Sequence, residues 1–295
     1  MNTLNIVLSF LELRNFIKIK ETKVLEIQSR SATLYRLTFK TKNFALKILK
    51  SDNFHSDLYF YTKFKNTKVP VPQVYFYDET KLLISLDWFV MDWIVGNNKY
   101  DSDLLLGEEI GKILYEVHSV KTNGAGKYSL VKGREFEYID WYECVNNYLF
   151  KNKIKELNNW FNKEDVKLLI DVIHKFKNVA IKLPNLSFLL HGDLGLDNLI
   201  INKGKVIGLI DTGKWINAGH PLMDISYFFN SNETTSKMIE GFKKGYNQFN
   251  NFQEFDIHIF QCYQLLGKLS YSIDIDNMKR YKNKLNQLMQ IYNKL

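Results

Sequence analysis

The stretch Leu189–Asp224, LLHGDLGLDNLIINKGKVIGLIDTGKWINAGHPLMD, limits what this chain can become more than any other. Two short apolar runs, Leu199–Asn202 and Val206–Ile210, flank a turn at Lys203-Gly204-Lys205. That is the pattern of a β-hairpin. His191-Gly192-Asp193 precedes the first strand, Asn198 stands at its start, and Asp211-Thr212-Gly213 follows the second. In an antiparallel pair the start of one strand lies beside the end of the next, so Asp193, Asn198 and Asp211 are expected to converge at one end of the hairpin. Two such oxygen-bearing side chains can hold a hard cation while the third accepts a proton. An ordinary surface hairpin is the plainer reading, since His, Gly and Asp are common turn residues. The order and spacing of three separate elements argue against it.

Phosphoryl transfer asks for this arrangement: little covalent chemistry, but a positioned phosphate, a neutralising Mg²⁺ and a carboxylate that orients a hydroxyl. In protein kinases a catalytic Asp is followed by four residues and an Asn, and later by a metal-binding Asp. Asp193, four intervening residues, Asn198 and then Asp211 repeat that order. With His-Gly-Asp in place of His-Arg-Asp, the motif resembles the aminoglycoside phosphotransferase family of small-molecule kinases. The tail Gly219-His220-Pro221, with Asp224 three residues on, resembles it too, although His220 replaces the family's usual Asp. The resemblance implies an α+β, protein-kinase-like fold of two lobes. A small antiparallel-sheet lobe over residues 1–92 would bind nucleotide, and a larger, mainly helical lobe over 93–295 would carry catalysis and substrate. Asp193 would be the catalytic carboxylate, and Asn198 and Asp211 the ligands of Mg²⁺. His191 would pack within the loop, and Asp224 would bond the loop's backbone N–H groups.

Upstream, residues 23–49 read as three antiparallel strands, with a turn at Thr41-Lys42-Asn43 before the third. Phe44-Ala45-Leu46-Lys47 resembles the kinase Val-Ala-Ile-Lys strand, which implies that Lys47 reaches the nucleotide phosphates. The turn after the first strand, Gln28-Ser29-Arg30-Ser31-Ala32-Thr33, contains no Gly where such folds usually have one. Ser29, Ser31 and Thr33 are its candidate phosphate contacts. Asn53–Phe64 reads as a helix carrying Asp57, where the family places a Glu to pair with the strand Lys. One methylene shorter, Asp57 is expected to pair less directly. Residues 82–96 read as a crossing strand and hinge, and the backbone of Asp92 and Ile94 is assigned to adenine. The remainder is expected to be helical: 104–118, 163–178, 234–249, 254–272 and 275–294. The Gly124-Ala125-Gly126 loop and Trp141 before a helix loosely resemble the hygromycin phosphotransferase branch. The resemblance as a whole covers about residues 23–250.

Composition excludes several classes. Of 295 residues, 45% are apolar and only four are proline, which suits a packed protein rather than a disordered or fibrous one. The net charge of +8 comes without a block of consecutive basic residues, so it reads as a lysine-rich surface with no nucleic-acid partner. The most apolar later run, Leu82–Val95, is broken by Asp87 and Asp92, so no membrane span is expected. The first residues read as an amphipathic helix through Leu4, Val7, Leu8 and Leu11, without the features of a signal peptide. Cys144 and Cys262 read as buried free thiols of a cytoplasmic protein. A monomer or weak dimer is expected.

The reading that follows is a kinase using ATP (or GTP) and Mg²⁺ on a hydroxyl of a small molecule, foremost an aminoglycoside or aminocyclitol antibiotic. Polycations need carboxylates, and Asp140, Glu143 and Asp274 are the first candidates, with Glu135, Glu137, Asp256 and Asp276 behind them. Helix capping is the structural alternative for Asp274 and Asp276. The same fold also serves kinases for choline, homoserine, methylthioribose and sugars, and fold cannot choose among them. A non-catalytic nucleotide-binding module is a further alternative. A protein kinase is disfavoured, because no Ala-Pro-Glu segment follows and 211–221 is short for an activation loop.

Overall fold

The computed structural model describes residues 2–28, 32–49, 54–129, 134–155, 163–213, 216–271 and 275–294. It is α+β, with a small antiparallel-sheet lobe and a larger, mainly helical one. The sheet runs in the order β1 (Thr22–Gln28), β2 (Ala32–Phe39), β3 (Lys42–Leu49), β5 (Trp88–Asp92) and β4 (Val74–Asp78), every neighbour antiparallel. The turn between β2 and β3 falls at Lys40-Thr41, with Lys40 at φ 55°, earlier than the expected Thr41–Asn43. Strand period decides what β3 shows to each side. Phe44, Leu46 and Ile48 face α1 (Thr3–Leu13), which buries Val7, Leu8 and Leu11 against them. Ala45 and Leu49, with Lys47 between them, face the opposite way, toward α2 (Phe54–Phe64) and the larger core.

The strand β4 escaped the sequence reading, and β5 is shorter than the 82–96 stretch. Val74-Tyr75-Phe76-Tyr77-Asp78 shows no apolar–polar alternation and is a strand through its pairing with β5. Asp78 then curls the following segment out of the sheet, accepting from the Thr80 N–H and hydroxyl and the Leu83 N–H.

The region after the hinge is less helical than expected. Four very short strands, β6 (Ala125–Tyr128), β7 (Phe136–Tyr138), β8 (Phe188–Leu189) and β11 (Ala218–Gly219), form a sheet in the order β7-β6-β11-β8. Two to four residues are too few to show a period, and tertiary pairing alone defines them. The 199–210 region is the hairpin of β9 (Leu199–Asn202) and β10 (Lys205–Leu209).

The helices are α3 (Asp103–His118), a single turn α4 (Trp141–Cys144) that widens into a π-type helix over Val145–Asn152, α5 (Lys163–Ala180), α6 (Leu222–Phe229), α7 (Ser236–Gly245), α8 (Glu254–Tyr271) and α9 (Ile275–Tyr292). Helix α7 stops short of the expected residue 249, because Tyr246 turns extended and Gln248 is left-handed at φ 69°. Helices α3 and α7 touch backbone to backbone. A Cβ on Gly107 or Gly111 would strike Met238 O or Phe242 O, and one on Gly241 or Gly245 would strike Leu104 O or Glu108 O. Among the described residues no helix is long and apolar enough to cross a membrane. Both cysteines are free and buried, and burial pushes the Cys262 thiol up to about 12.

Candidate active site

The hairpin turns through Lys203 (φ 50°) and Gly204 (φ 75°), the two left-handed residues of a turn whose twist matches its strands. Leu199 pairs with Leu209, and the Ile210 N–H donates to Asn198 O at 3.0 Å. Asn198 and Asp211 therefore flank the same end, and the Asp193 loop arrives there too, its backbone carbonyl accepting from Asn198 Nδ2 at 2.8 Å. That bond commits the amide NH₂ and leaves the Asn198 amide oxygen as the group available to a cation.

Two glycines make the meeting possible. Gly192 sits at φ 80°, and a Cβ there would collide with Ile216 O; a Cβ on Gly213 would collide with Gly192 O. The two loops lie backbone on backbone, tied by the Gly213 N–H to His191 O at 2.7 Å. An arginine at 192 has no room, which is why His-Gly-Asp stands here in place of His-Arg-Asp. Asp224 holds the loop from beneath, accepting from the N–H groups of His191 (2.7 Å) and Gly192 (2.8 Å). His118, the last residue of α3, lies with Nε2 3.2 Å from Asp224 Oδ2 and Nδ1 2.9 Å from the Tyr246 hydroxyl. His191 is wholly buried, its Nε2–H donating to Ile210 O at 2.9 Å while Nδ1 has no hydrogen-bond partner among the described residues. A ring so enclosed packs the loop and does not meet solvent or ligand. His220 is not a loop anchor of the Asp kind: its Nδ1 accepts from the Leu222 N–H, and its ring lies among Trp141, Phe252 and Phe260. Burial, with a smaller push from His118, lowers it to about 3, so it is neutral.

Across the cleft, Lys47 Nζ is 2.8 Å from Asp57 Oδ2 and 2.5 Å from Asp211 Oδ1. Burial alone would lower the lysine's pKa, but the two carboxylates outweigh it and raise it. The expected indirect pairing of Asp57 is corrected: the contact is direct, because α2 packs close enough to make up the missing methylene. The second oxygen of Asp57 accepts both the N–H and the hydroxyl of Thr212, each at 2.8 Å. Thr212 was not singled out from sequence. Asp211 is held at φ 55° with its N–H on the Tyr61 hydroxyl, leaving its carboxylate half exposed.

At the hinge, the Asp92 N–H already donates to Gln73 O and its carboxylate accepts from Gln73 N and the Tyr75 hydroxyl, so only its carbonyl remains for a base. Among the described residues the Ile94 N–H has no partner. The following segment is pinned to the hairpin, Asn97 and Asn98 both donating to Ile201 O. Ser29, Ser31 and Asp274 lie outside the described residues, as does the side chain of Asp276.

Four of the remaining acidic candidates accept hydrogen bonds within the protein. Asp140 caps α4 by accepting from the Glu143 N–H at 2.8 Å and also accepts from Asn185 Nδ2; Glu143 accepts from the Ile139 N–H at 2.7 Å. Glu135 and Glu137 accept from the hydroxyls of Tyr59 and Tyr138. Burial raises the Asp256 carboxyl. None of these five lines the cavity of about 310 Å³ that opens beside Asp193. Its walls bring Tyr148 and Lys153 from the widened helix, Tyr227 from α6, and Tyr263 and Lys268 from α8. One signal for Lys268 was in the sequence: it is the single lysine of α8 and stands between the buried Leu265-Leu266 and Leu269.

A family model described as the phosphotransferase enzyme family matches residues 23–257. No curated protein matches. Among solved structures, a thermostable mutant of aminoglycoside phosphotransferase APH(4)-Ia in ternary complex with AMP-PNP and hygromycin B has a TM-score of 0.74 at 14% identity, over 96% of this chain and 97% of that one. A candidate aminoglycoside phosphotransferase from Ralstonia eutropha JMP134 gives 0.67 at 14% identity, over 99% and 98%. A candidate fructosamine-3-kinase from Thermobifida fusca YX-ER1 gives 0.68 at 16%, over 92% and 94%. At such identities the likeness establishes the fold.

Proposed function

Because the chain belongs to the phosphotransferase enzyme family, we propose that it transfers the γ-phosphate of ATP to a hydroxyl of a small molecule held beside Asp193. The observation that carries this reading is the placement of Asp193 between two spaces: the Lys47–Asp57–Asp211 cluster on one side and the 310 Å³ cavity on the other. The nucleotide lies between sheet and hairpin, its base on the Asp92 carbonyl and Ile94 N–H, its phosphates on Lys47 as a point charge. Asp193 orients the acceptor hydroxyl and takes its proton as the new O–P bond forms and the bond to the departing ADP oxygen breaks. The Asp211 carboxylate and the Asn198 amide oxygen are hard oxygen donors that fit Mg²⁺, which when bound neutralises phosphate charge.

Two acceptor classes compete. The aminoglycoside reading draws on the hygromycin B complex of the APH(4)-Ia neighbour. A metabolite kinase is the second reading, favoured by a cavity wall whose charged residues, Asp193 apart, are Lys153 and Lys268. The deciding experiment is an ADP-release screen of antibiotics, sugars, choline and homoserine, with the product read by phosphorus NMR. Phosphorylation of an acceptor hydroxyl is expected. An ATP-binding protein that transfers to no acceptor would leave only a binding module.

A further inference from the structure

The acceptor cavity has an unusual balance of charge. Lys268 reaches it from α8, its Nζ 4.7 Å from the Tyr227 ring and 3.3 Å from Asn230 O, to which it donates. No carboxylate among the described residues lies within ion-pair distance of it. Asp193 and Asp197 act on it only from farther away, and burial, the larger effect, lowers its pKa. Lys153 lines the same cavity from the widened helix. Behind Lys268, α9 adds Arg280 and Lys284; Lys284 is pushed down to about 8 by burial first and by Lys268 and Arg280 after it. Among the described residues, then, Lys268 has Arg280 and Lys284 behind it and Asp193 and Asp197 at a distance. The wall beside Lys268 is bare: a Cβ on Gly267 would meet nothing within 4 Å. The volume, about 310 Å³, is at the small end for a ligand site.

We propose that the acceptor is an anionic hydroxy compound of about monosaccharide size, its carboxylate or phosphate group held by Lys268 and Lys153 while a hydroxyl faces Asp193. This rests on the kinase reading and narrows it. A partly buried ammonium that, among the described residues, touches only a carbonyl and a ring is completed by an anion, and a polycation would meet like charge on the same wall. The tyrosines at 148, 227 and 263 give the cavity wall aromatic surface.

The test presents ATP and the full chain with four panels: sugar and hydroxy acids such as gluconate, sugar phosphates such as glucose 6-phosphate, uncharged sugars, and aminoglycosides. Transfer to an anionic panel is expected, and whether sugar acids or sugar phosphates respond tells which anion the lysines take. Lys268→Gln should raise the KM for that acceptor by about 10- to 100-fold, the worth of a hydrogen bond to a charged group, with the KM for ATP unmoved and Lys268→Arg restoring part of the loss. Lys153→Gln should act the same way to a smaller degree. Preference for uncharged sugars or aminoglycosides, or an acceptor KM indifferent to both substitutions, overturns the proposal and leaves the kinase reading standing. Absence of transfer to every panel together with absence of ATP binding overturns both.

Discussion

The two sides of the Asp193 loop are built on opposite plans. On the side proposed for nucleotide, the described cluster is closed by short, opposed contacts: Lys47 is clamped by Asp57 and Asp211, and the second oxygen of Asp57 is filled by Thr212. On the acceptor side a cavity stands open, and Lys268 has a carbonyl and an aromatic ring but no close carboxylate among the described residues. A finished cluster suits a ligand of fixed chemistry, such as the proposed triphosphate. An unfinished one waits for a ligand to complete it, and its walls can differ without disturbing the transfer machinery.

The sharpest test of that division is Asp193→Asn, which keeps size and removes the charge that accepts a proton. Turnover should fall by about 10²- to 10⁴-fold while ATP affinity by calorimetry stays within a few-fold. Equal losses in both would mean that Asp193 belongs to the nucleotide side. Next in size is Lys47→Ala. It should raise the KM for ATP by at least about 10-fold, and it leaves Asp57 a buried carboxylate without its cation, so melting temperature should fall as well. The acceptor KM should hardly move; a shift as large as that for ATP would show that the two sides are one site. Gly192→Ala should lower melting temperature by several degrees and turnover with it, since the added Cβ meets Ile216 O on a backbone already left-handed. A melting temperature unchanged from wild type would show that the loops can part.

An effect that appears only below neutral pH concerns His220, whose folded value near 3 lies below the usual 6.5. The unfolded chain takes up this proton first, so its contribution is whole above about pH 6.5 and declines as pH falls toward 3, by about 1 kcal/mol per pH unit. His220→Asn keeps an acceptor for the Leu222 N–H and removes the titration. Its denaturation midpoints should fall less steeply between pH 6.5 and 4, and parallel slopes would refute the assignment.

What sequence could and could not show follows the same division. Asp193, Asn198 and Asp211 are readable because chemistry fixes both their identity and their spacing along one hairpin. Lys47 is readable through its strand Phe44-Ala45-Leu46-Lys47, which resembles the kinase Val-Ala-Ile-Lys. Thr212 was missed because its role depends on where α2 sets Asp57, 155 residues earlier. The cavity was missed for a similar reason: its walls come from α6, α8 and a π-type helix that no periodicity announces. Asp140 and Glu143 attracted attention as carboxylates, yet a residue before a helix and another three positions on are also a capping pair, and that is what they form. The four short strands after the hinge exist only as tertiary pairings.

The glycine contact between α3 and α7 has a bearing on descent. At each of the four glycines the obstacle to a side chain is the neighbouring helix's backbone, so no compensating change of side chain on the other helix can make room. The two helices run parallel, and at their shared C-terminal end His118 meets the Tyr246 hydroxyl and, through Asp224, the loop that carries Asp193. A lineage acquiring a new acceptor can thus rework Tyr148, Lys153, Gly267 or Lys268 one mutation at a time, because none of these residues lies in the frame that aims Asp193. The frame itself offers no single viable step, so the novelty of such enzymes should accumulate on one wall of one cavity.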